Sequence, residues 1–235
     1  MSEKNQINLN EVRKHNLNRY LDSTSSKKSK KNLISFFLSN IYINDFFYKI
    51  LLRIFGIKVG KNVVINGCID LTLNGPPSNI IIEDNVYIER NTSIKIRENG
   101  QINLKKGSYL DQGVRLLAAR DGKITLGKYS QIGKDTILNS GGEIEIGCFC
   151  LISSHCHINS SQHKTIKENF IIAQNYDHGK VIILDDVLIG THCTILMGAK
   201  LSEGAILGSN SLLKDFTKPF GIYGGSPAKL ISFRK

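Results

Sequence analysis

The 235-residue chain contains no tryptophan, only two methionines and only four prolines. Glycine, by contrast, is plentiful at 21. That composition argues against a helical bundle and for a soluble protein with many tight turns. Its five cysteines, at 68, 148, 150, 156 and 193, are odd in number and show no disulfide-framework spacing, so reduced thiols in a cytoplasmic setting are expected. No apolar segment falls within the first thirty residues, which excludes a signal peptide there. There is no RNA-binding signature, no zinc-finger spacing and no alternation of aromatic with basic residues. Nucleic acid is therefore not an expected partner.

The formal charge is +11, and it is unevenly spread. Residues 1–58 hold eleven basic against four acidic side chains, including the run 27-KKSKK-31. The arm at 1–32 reads as a solvated tail. It is followed by 33-LISFFLSNIYINDFFYKILLRIF-55, the most apolar part of the chain. Asp45, Lys49 and Arg53 recur every four residues, so they form one narrow stripe of a helix with a wide apolar face. Charges in mid-span are costly in lipid, so 33–58 is expected to be an amphipathic helix and connection rather than a membrane span. It either packs on the protein or a neighbouring subunit, or lies against an anionic membrane surface through residues 27–55. The second case would place the protein peripherally at the inner face of the cell membrane.

From residue 59 a different pattern takes over. Aliphatic residues form seven trios spaced by six, from Val59, Ile65 and Leu71 through Ile146, Ile152 and Ile158 to Leu201, Leu207 and Leu213. A 3.6-residue period cannot keep a six-residue repeat on one face, whereas a two-residue strand period can. A second row follows four residues behind and is nearly all small: Val63, Thr92, Ser108, Ser130, Cys150, Cys156, Cys193, Ala199 and Ser211 among others. Each unit thus offers one large and one small inward side chain and then turns a corner. Three units close a triangular coil, and coils stack as parallel strands about 4.8 Å apart. Extra residues enter at one corner: 74-NGPPSN-79, 97-RENG-100, 119-ARDG-122 and 139-NSGG-142. At 159–182 the same corner gains more than twenty residues, a length that usually marks function.

The repeat resembles the left-handed parallel β-helix of the hexapeptide-repeat acetyltransferases, similar to galactoside, maltose and surface-polysaccharide acetyltransferases. The resemblance covers 59–235: a β-helix over 59–218 with a long loop at 159–182, then a cofactor-binding turn and tail at 219–235. Segment 146-IGCFCLISSHCHINSSQH-163 is similar to the stretch that runs into the catalytic histidine of that family, which falls on His163. The family often continues His-Pro-x-Asp. Here Lys164, Thr165 and Ile166 follow, so the acidic partner is missing, and Asp177 or the turn at 139–143 is the candidate substitute. Block 179-GKVIILDDVLIGTHCTIL-196 resembles the next family motif, with Leu188 where tryptophan is usual. The resemblance gives the backbone N–H of Thr191 the thioester carbonyl. Segment 208-GSNSLLKDFTKPFGIYGGSPAKLI-231 resembles the closing motif, with Lys214 displaced by one.

What the resemblance implies is an acetyl-CoA-dependent O-acetyltransferase. It would act on a sugar hydroxyl of a bacterial surface polysaccharide or its precursor, as a homotrimer with sites between neighbours. His163 would be the general base, since a hydroxyl is a poor nucleophile until its proton is taken. Thr191 would stabilise the oxyanion. Leu188, Gly190, Gly198, Ser209, Lys214, Lys218, Gly225, Ser226, Pro227 and Lys229 would hold the cofactor, the lysines meeting its phosphates. Asn139, Asn175 and Asp177 would meet the carbohydrate acceptor. Two other readings stand beside this one: a γ-class carbonic anhydrase-like metal protein, and a non-catalytic scaffold. His155 and His192 stack on successive coils, but no third ligand matches them, so no metal is expected. Cys156 and Cys193 read as inert, inward-facing core residues.

Overall fold

The computed structural model describes residues 45–67, 69–167 and 170–235. The expectations for the arm at 1–32 and for residues 33–44 lie outside the described residues. Beyond the short helix Asp45–Ile54, the chain is a left-handed parallel β-helix of about seven coils. Sheet A runs from Lys58–Val59 to Lys200–Leu201 and sheet C from Asp70–Asn74 to Leu212–Leu213, each with seven strands. Sheet B runs from Val64–Ile65 to Ile206–Leu207 and gains two strands, Gly221–Gly224 and Lys229–Phe233.

Register follows the six-residue spacing. In sheet B, Ile65 pairs with Ile88, Ile88 with Leu110, Leu110 with Ile132, Ile132 with Ile152, Ile152 with Ile189 and Ile189 with Leu207. Like side chains therefore stack into an apolar column, and nearly all the aliphatic trio members are fully buried. The small row is buried as well. Several of its hydroxyls reach a corner carbonyl: Ser130 Oγ donates to the Gly147 carbonyl (2.7 Å) and Thr136 Oγ1 to that of Ser153 (3.0 Å), whereas the buried Ser108 Oγ has no hydrogen-bond partner among the described residues.

Corners impose a second periodicity. The turn between sheets A and B places Asn62, Asn85, Tyr129, Phe149, Asp186 and Phe220 at positive φ, and the turn between B and C does so for Asn91, Asp135, His155, His192 and Asn210. Side chains at these positions point outward and stack on the next coil, as Tyr129 does on Phe149 (5.5 Å) and His155 on His192 (5.0 Å).

The helix closes the first coil. Tyr48 and Leu52 are buried against Ile57, Val63 and Ile65, part of one continuous core. Its charged stripe is used in the same contact: Lys49 Nζ donates to the Val63 carbonyl (2.6 Å), and Arg53 donates to those of Val59 (3.0 Å) and Gly60 (2.7 Å). Among the described residues no helix is long and apolar enough to cross a membrane.

Candidate functional site

The interruption after sheet C of the fifth coil is built as a hairpin. Ser161–His163 pairs antiparallel with Tyr176–His178, joining Ser161 to His178, Gln162 to Asp177 and His163 to Tyr176. Alternation puts Ser161, His163, Tyr176 and His178 on one face and Gln162 and Asp177 on the other. On the first face the His163 ring stacks on Tyr176 with centroids 3.9 Å apart and a tilt of 37°. Ser161 Oγ lies 2.9 Å from His178 Nδ1. Gly141 forms the floor, where a Cβ would come within 2.6 Å of both groups. On the second face Asp177 is 3.6 Å from Lys164 Nζ. Gln174 is buried and bridges the hairpin stem, accepting from the Ile166 N–H (2.7 Å) and donating to the Ile166 carbonyl (2.9 Å).

His163 is exposed, with its ring packed on that of Tyr176. His178 is held below the ordinary imidazole value, first by burial and then by the Arg120 guanidinium, with Asp177 opposing. His157, on sheet C of the same coil, is also lowered by burial.

The other expected site residues divide among the prism edges. The corner between sheets B and C carries Gly190 and Thr191 on the sixth coil and Ser209 on the seventh, with Gly225 above: the Asn210 N–H donates to the Thr191 carbonyl (2.9 Å) and the Leu212 N–H to that of Gly225 (3.0 Å). Leu188 points outward from sheet B just before that edge, half-buried, and Lys229 pairs with Gly224 just beyond it. Ser226 and Pro227 complete this strip. Among the described residues the Thr191 N–H donates to no backbone carbonyl. Gly198 and Lys214 lie instead at the corner between C and A, the one the hairpin leaves, one and two coils further along the chain. Lys218 is at the corner between A and B, where the Gly221 N–H donates to its carbonyl (3.1 Å). Asn139 faces outward on sheet C and accepts from the Ser160 N–H (3.1 Å), while Asn175 accepts from the Lys164 N–H (2.9 Å) in the hairpin.

Thr191 thus lies before the start of its sheet C strand, and His163 lies on the hairpin beyond the end of the neighbouring one. The hairpin joins His163 with Asn175 and Asp177; the strip joins Thr191 with most of the expected cofactor residues. Within one chain the two groups are not brought together. Sequence reading missed Tyr176 and the Ser161–His178 pair. Their signal was a short alternation, S-Q-H against Y-D-H, separated by a dozen residues without a repeat.

Cys156 and Cys193 point into the coil, where their thiols reach the carbonyls of Gly190 and Gly208 (3.1 Å each). Among the described residues no three His, Cys, Asp or Glu side chains converge on one point.

No family model matches the chain. Over 125 residues it is 28% identical to a probable acetyltransferase of Mycobacterium tuberculosis, covering 51% of this chain and 40% of that protein. Over 184 residues it is 23% identical to a putative colanic acid biosynthesis acetyltransferase of Escherichia coli K12, covering 78% and 73%. Matches to chloramphenicol acetyltransferases reach only 27% of those proteins' length, so the chain spans well under half of several curated relatives. Among solved structures, a mutant of AntD, an N-acyltransferase from Bacillus cereus in complex with dTDP and coenzyme A, superposes with a TM-score of 0.58 at 26% identity, covering 83% of this chain and 92% of that one. In sequence the chain is similar to acetyltransferases, and in fold to acyltransferases built on a left-handed β-helix.

Proposed function

We propose that the protein transfers an acetyl group from acetyl-CoA to a sugar hydroxyl of a bacterial surface polysaccharide or its precursor. His163 takes the hydroxyl proton as the oxygen attacks the thioester carbonyl. The Thr191 N–H supports the oxyanion, the C–S bond breaks, and the leaving thiolate takes the proton back from the imidazolium. The cofactor lies along the strip of Gly190, Ser209, Gly225, Ser226 and Pro227 beside Leu188. Lys229, beside the strip, faces its phosphates, and Lys214 and Lys218, at the other two edges, contribute only to the long-range field. Gly198 keeps the neighbouring corner low. Asn139, Asn175 and Asp177 meet the acceptor.

The observation that carries this reading is the His163–Tyr176 stack on a hairpin that leaves the one strongly interrupted corner. It presents a fixed imidazole to solvent, in a chain whose relatives are acetyltransferases. Because base and oxyanion donor sit on different edges, the working unit is an assembly in which one copy's hairpin meets its neighbour's strip. The homotrimer implied by the family resemblance supplies that arrangement.

The test is release of free thiol from acetyl-CoA over a panel of sugars and oligosaccharides. The expected result is acceptor-dependent release, lowered by roughly 10²–10⁴ in His163→Ala with acetyl-CoA binding retained. Absence of acetyl-CoA binding would overturn the proposal, and undiminished turnover in the variant would remove His163 from it.

A further inference from the structure

The corner between sheets C and A is a ladder of turns, one per coil. Ala118 pairs with Ser140, so the turn 119-ARDG-122 lies one coil below 140-SGG-142, and the stem of the hairpin lies one coil above it. Backbone bonds tie the three levels together. The Ala119 N–H donates to the Ser140 carbonyl (2.9 Å), the Lys123 N–H to that of Gly142 (2.8 Å) and the Glu143 N–H to that of Gly179 (2.9 Å). The middle turn is glycine at two positions. Gly141 and Gly142 put no side chain into the gap between Arg120 below and the Ser161–His178 pair above.

The groups around this gap suit an anion. Arg120 is exposed, and among the described residues it forms no ion pair and no hydrogen bond. Its acidic neighbour is engaged elsewhere, since Asp121 accepts from Asn99 Nδ2 (3.0 Å). Asp177 lies on the opposite face of the hairpin beside Lys164. One coil lower on the same edge Arg97 is also exposed, but Glu98 beside it offsets that charge, so Arg120 is the cation that counts. Above the gap, Ser161 Oγ accepts from the Gly141 N–H (3.2 Å) and lies 2.9 Å from His178 Nδ1. When the hydroxyl donates to Nδ1, the Nε2–H is left over; when Nδ1 donates, the hydroxyl proton is left over. Either tautomer keeps one donor for a ligand. Burial first, and then the positive charge of Arg120, with Asp177 opposing, disfavours the imidazolium of His178, so that charge is felt at the ring.

We propose that this gap takes an anionic oxygen group, a carboxylate or a phosphate, carried by the acceptor, which is therefore an acidic glycan. The guanidinium fork of Arg120 holds its oxygens, and the Ser161–His178 pair donates one further hydrogen bond. His163 shares the hairpin face of Ser161 and stands two residues further along the strand, about 7 Å away. That spacing puts the anionic group and the hydroxyl to be acetylated on one sugar ring or on adjoining rings. The identity of the acceptor rests on the acetyl-transfer reading, whereas the anion site stands on the geometry of the corner.

The site is tested without turnover by titrating the full chain, labelled in its histidine rings, with oligogalacturonate, galactose 6-phosphate and a neutral galactose oligomer. The His178 signals, assigned with His178→Gln, should shift saturably with at least one acidic ligand and at least roughly tenfold more weakly with the neutral one. The tighter acidic ligand distinguishes a carboxylate from a phosphate. Arg120→Asn, which suits the positive φ of 58° at this position, should weaken acidic binding roughly tenfold or more, and Arg120→Lys should retain part of it. No His178 shift with either acidic ligand overturns the proposal, as does equal binding of the neutral oligomer or undiminished binding by Arg120→Asn. Thiol release from acetyl-CoA over matched acidic and neutral acceptors is the second arm, and it should favour the acidic ones in the parent chain and lose that preference in Arg120→Asn. A chain that binds the acidic ligands at His178 but releases no thiol with any acceptor would sink the acetyl-transfer reading alone. A chain that releases thiol without the His178 response would sink the anion site alone.

Discussion

His163 stacks on Tyr176 at 3.9 Å, while Asp177, one residue along, is turned to the other hairpin face beside Lys164. A close, tilted ring contact restricts the orientation of an imidazole without adding charge, so in this reading the ring is oriented by packing, in the role that a carboxylate fills in the family motif. Tyr176→Phe should retain most activity. Tyr176→Ala should lower kcat roughly tenfold to a hundredfold with little change in KM for acetyl-CoA, because a misaligned base loses the reacting geometry. Asp177→Asn should act on KM for the acceptor and leave kcat nearly intact. Steady-state kinetics of the three variants separate these outcomes. Acid sensitivity is set by other residues. His157 and His178 take up protons less readily in the fold than in the unfolded chain, so stability declines as pH falls below the unfolded value of about 6.5. Burial raises the carboxyls of Glu83 and Asp70, but their hydrogen bonds, chiefly from Lys105 and Lys95, outweigh it and hold both low. They therefore add stability above their unfolded values and lose it as pH falls further. Thermal unfolding across pH should show both declines, and His178→Gln should flatten the first.

The coil is the element in which sequence and structure agree most closely, for a physical reason. Each inward position has one register partner above and one below, so a wrong residue type disrupts a whole column; Ile132, between Leu110 and Ile152, shows this. Ile132→Ala should cost about 2–5 kcal/mol, measured by denaturant unfolding. The corners are nearly as constrained. At Gly127 an added Cβ would run into the Gly147 carbonyl of the next coil, and Gly127→Ala should destabilise by roughly 1–3 kcal/mol. The hairpin was not legible in this way. Its pairing of Ser161 with His178 bridges a segment with no repeat, and three residues per strand, none of them buried, carry too short an alternation to be read. The sequence led to His163 by the resemblance of 146–163 to the motif that ends in the family's catalytic histidine, and to its neighbours Asn175 and Asp177 by residue type alone. Tyr176 required the fold. At the start of the prism the charged stripe of Asp45, Lys49 and Arg53 was visible, but its use was not: Lys49 and Arg53 bond to carbonyls of the first coil.

At the scale of the whole molecule, the prism separates what the proposed chemistry needs together. The hairpin with His163 leaves the edge between sheets C and A, whereas Thr191, Ser209 and Gly225 line the edge between B and C. A rigid stack of coils cannot fold one edge onto the other, so the proposed chemistry needs a heterologous contact between copies, with each copy giving a different half. The two closed ends, helix at the first coil and the strands Gly221–Gly224 and Lys229–Phe233 at the last, leave the long edges as the surfaces for that contact. The most direct measurement is complementation of acetyl transfer between two inactive chains, His163→Ala and Ser209→Trp, co-expressed and purified as mixed assemblies. Shared sites predict recovery of about a quarter of the parental rate, the fraction of contacts that receive an intact half from each side. A mixed assembly no more active than either variant alone would contradict the account.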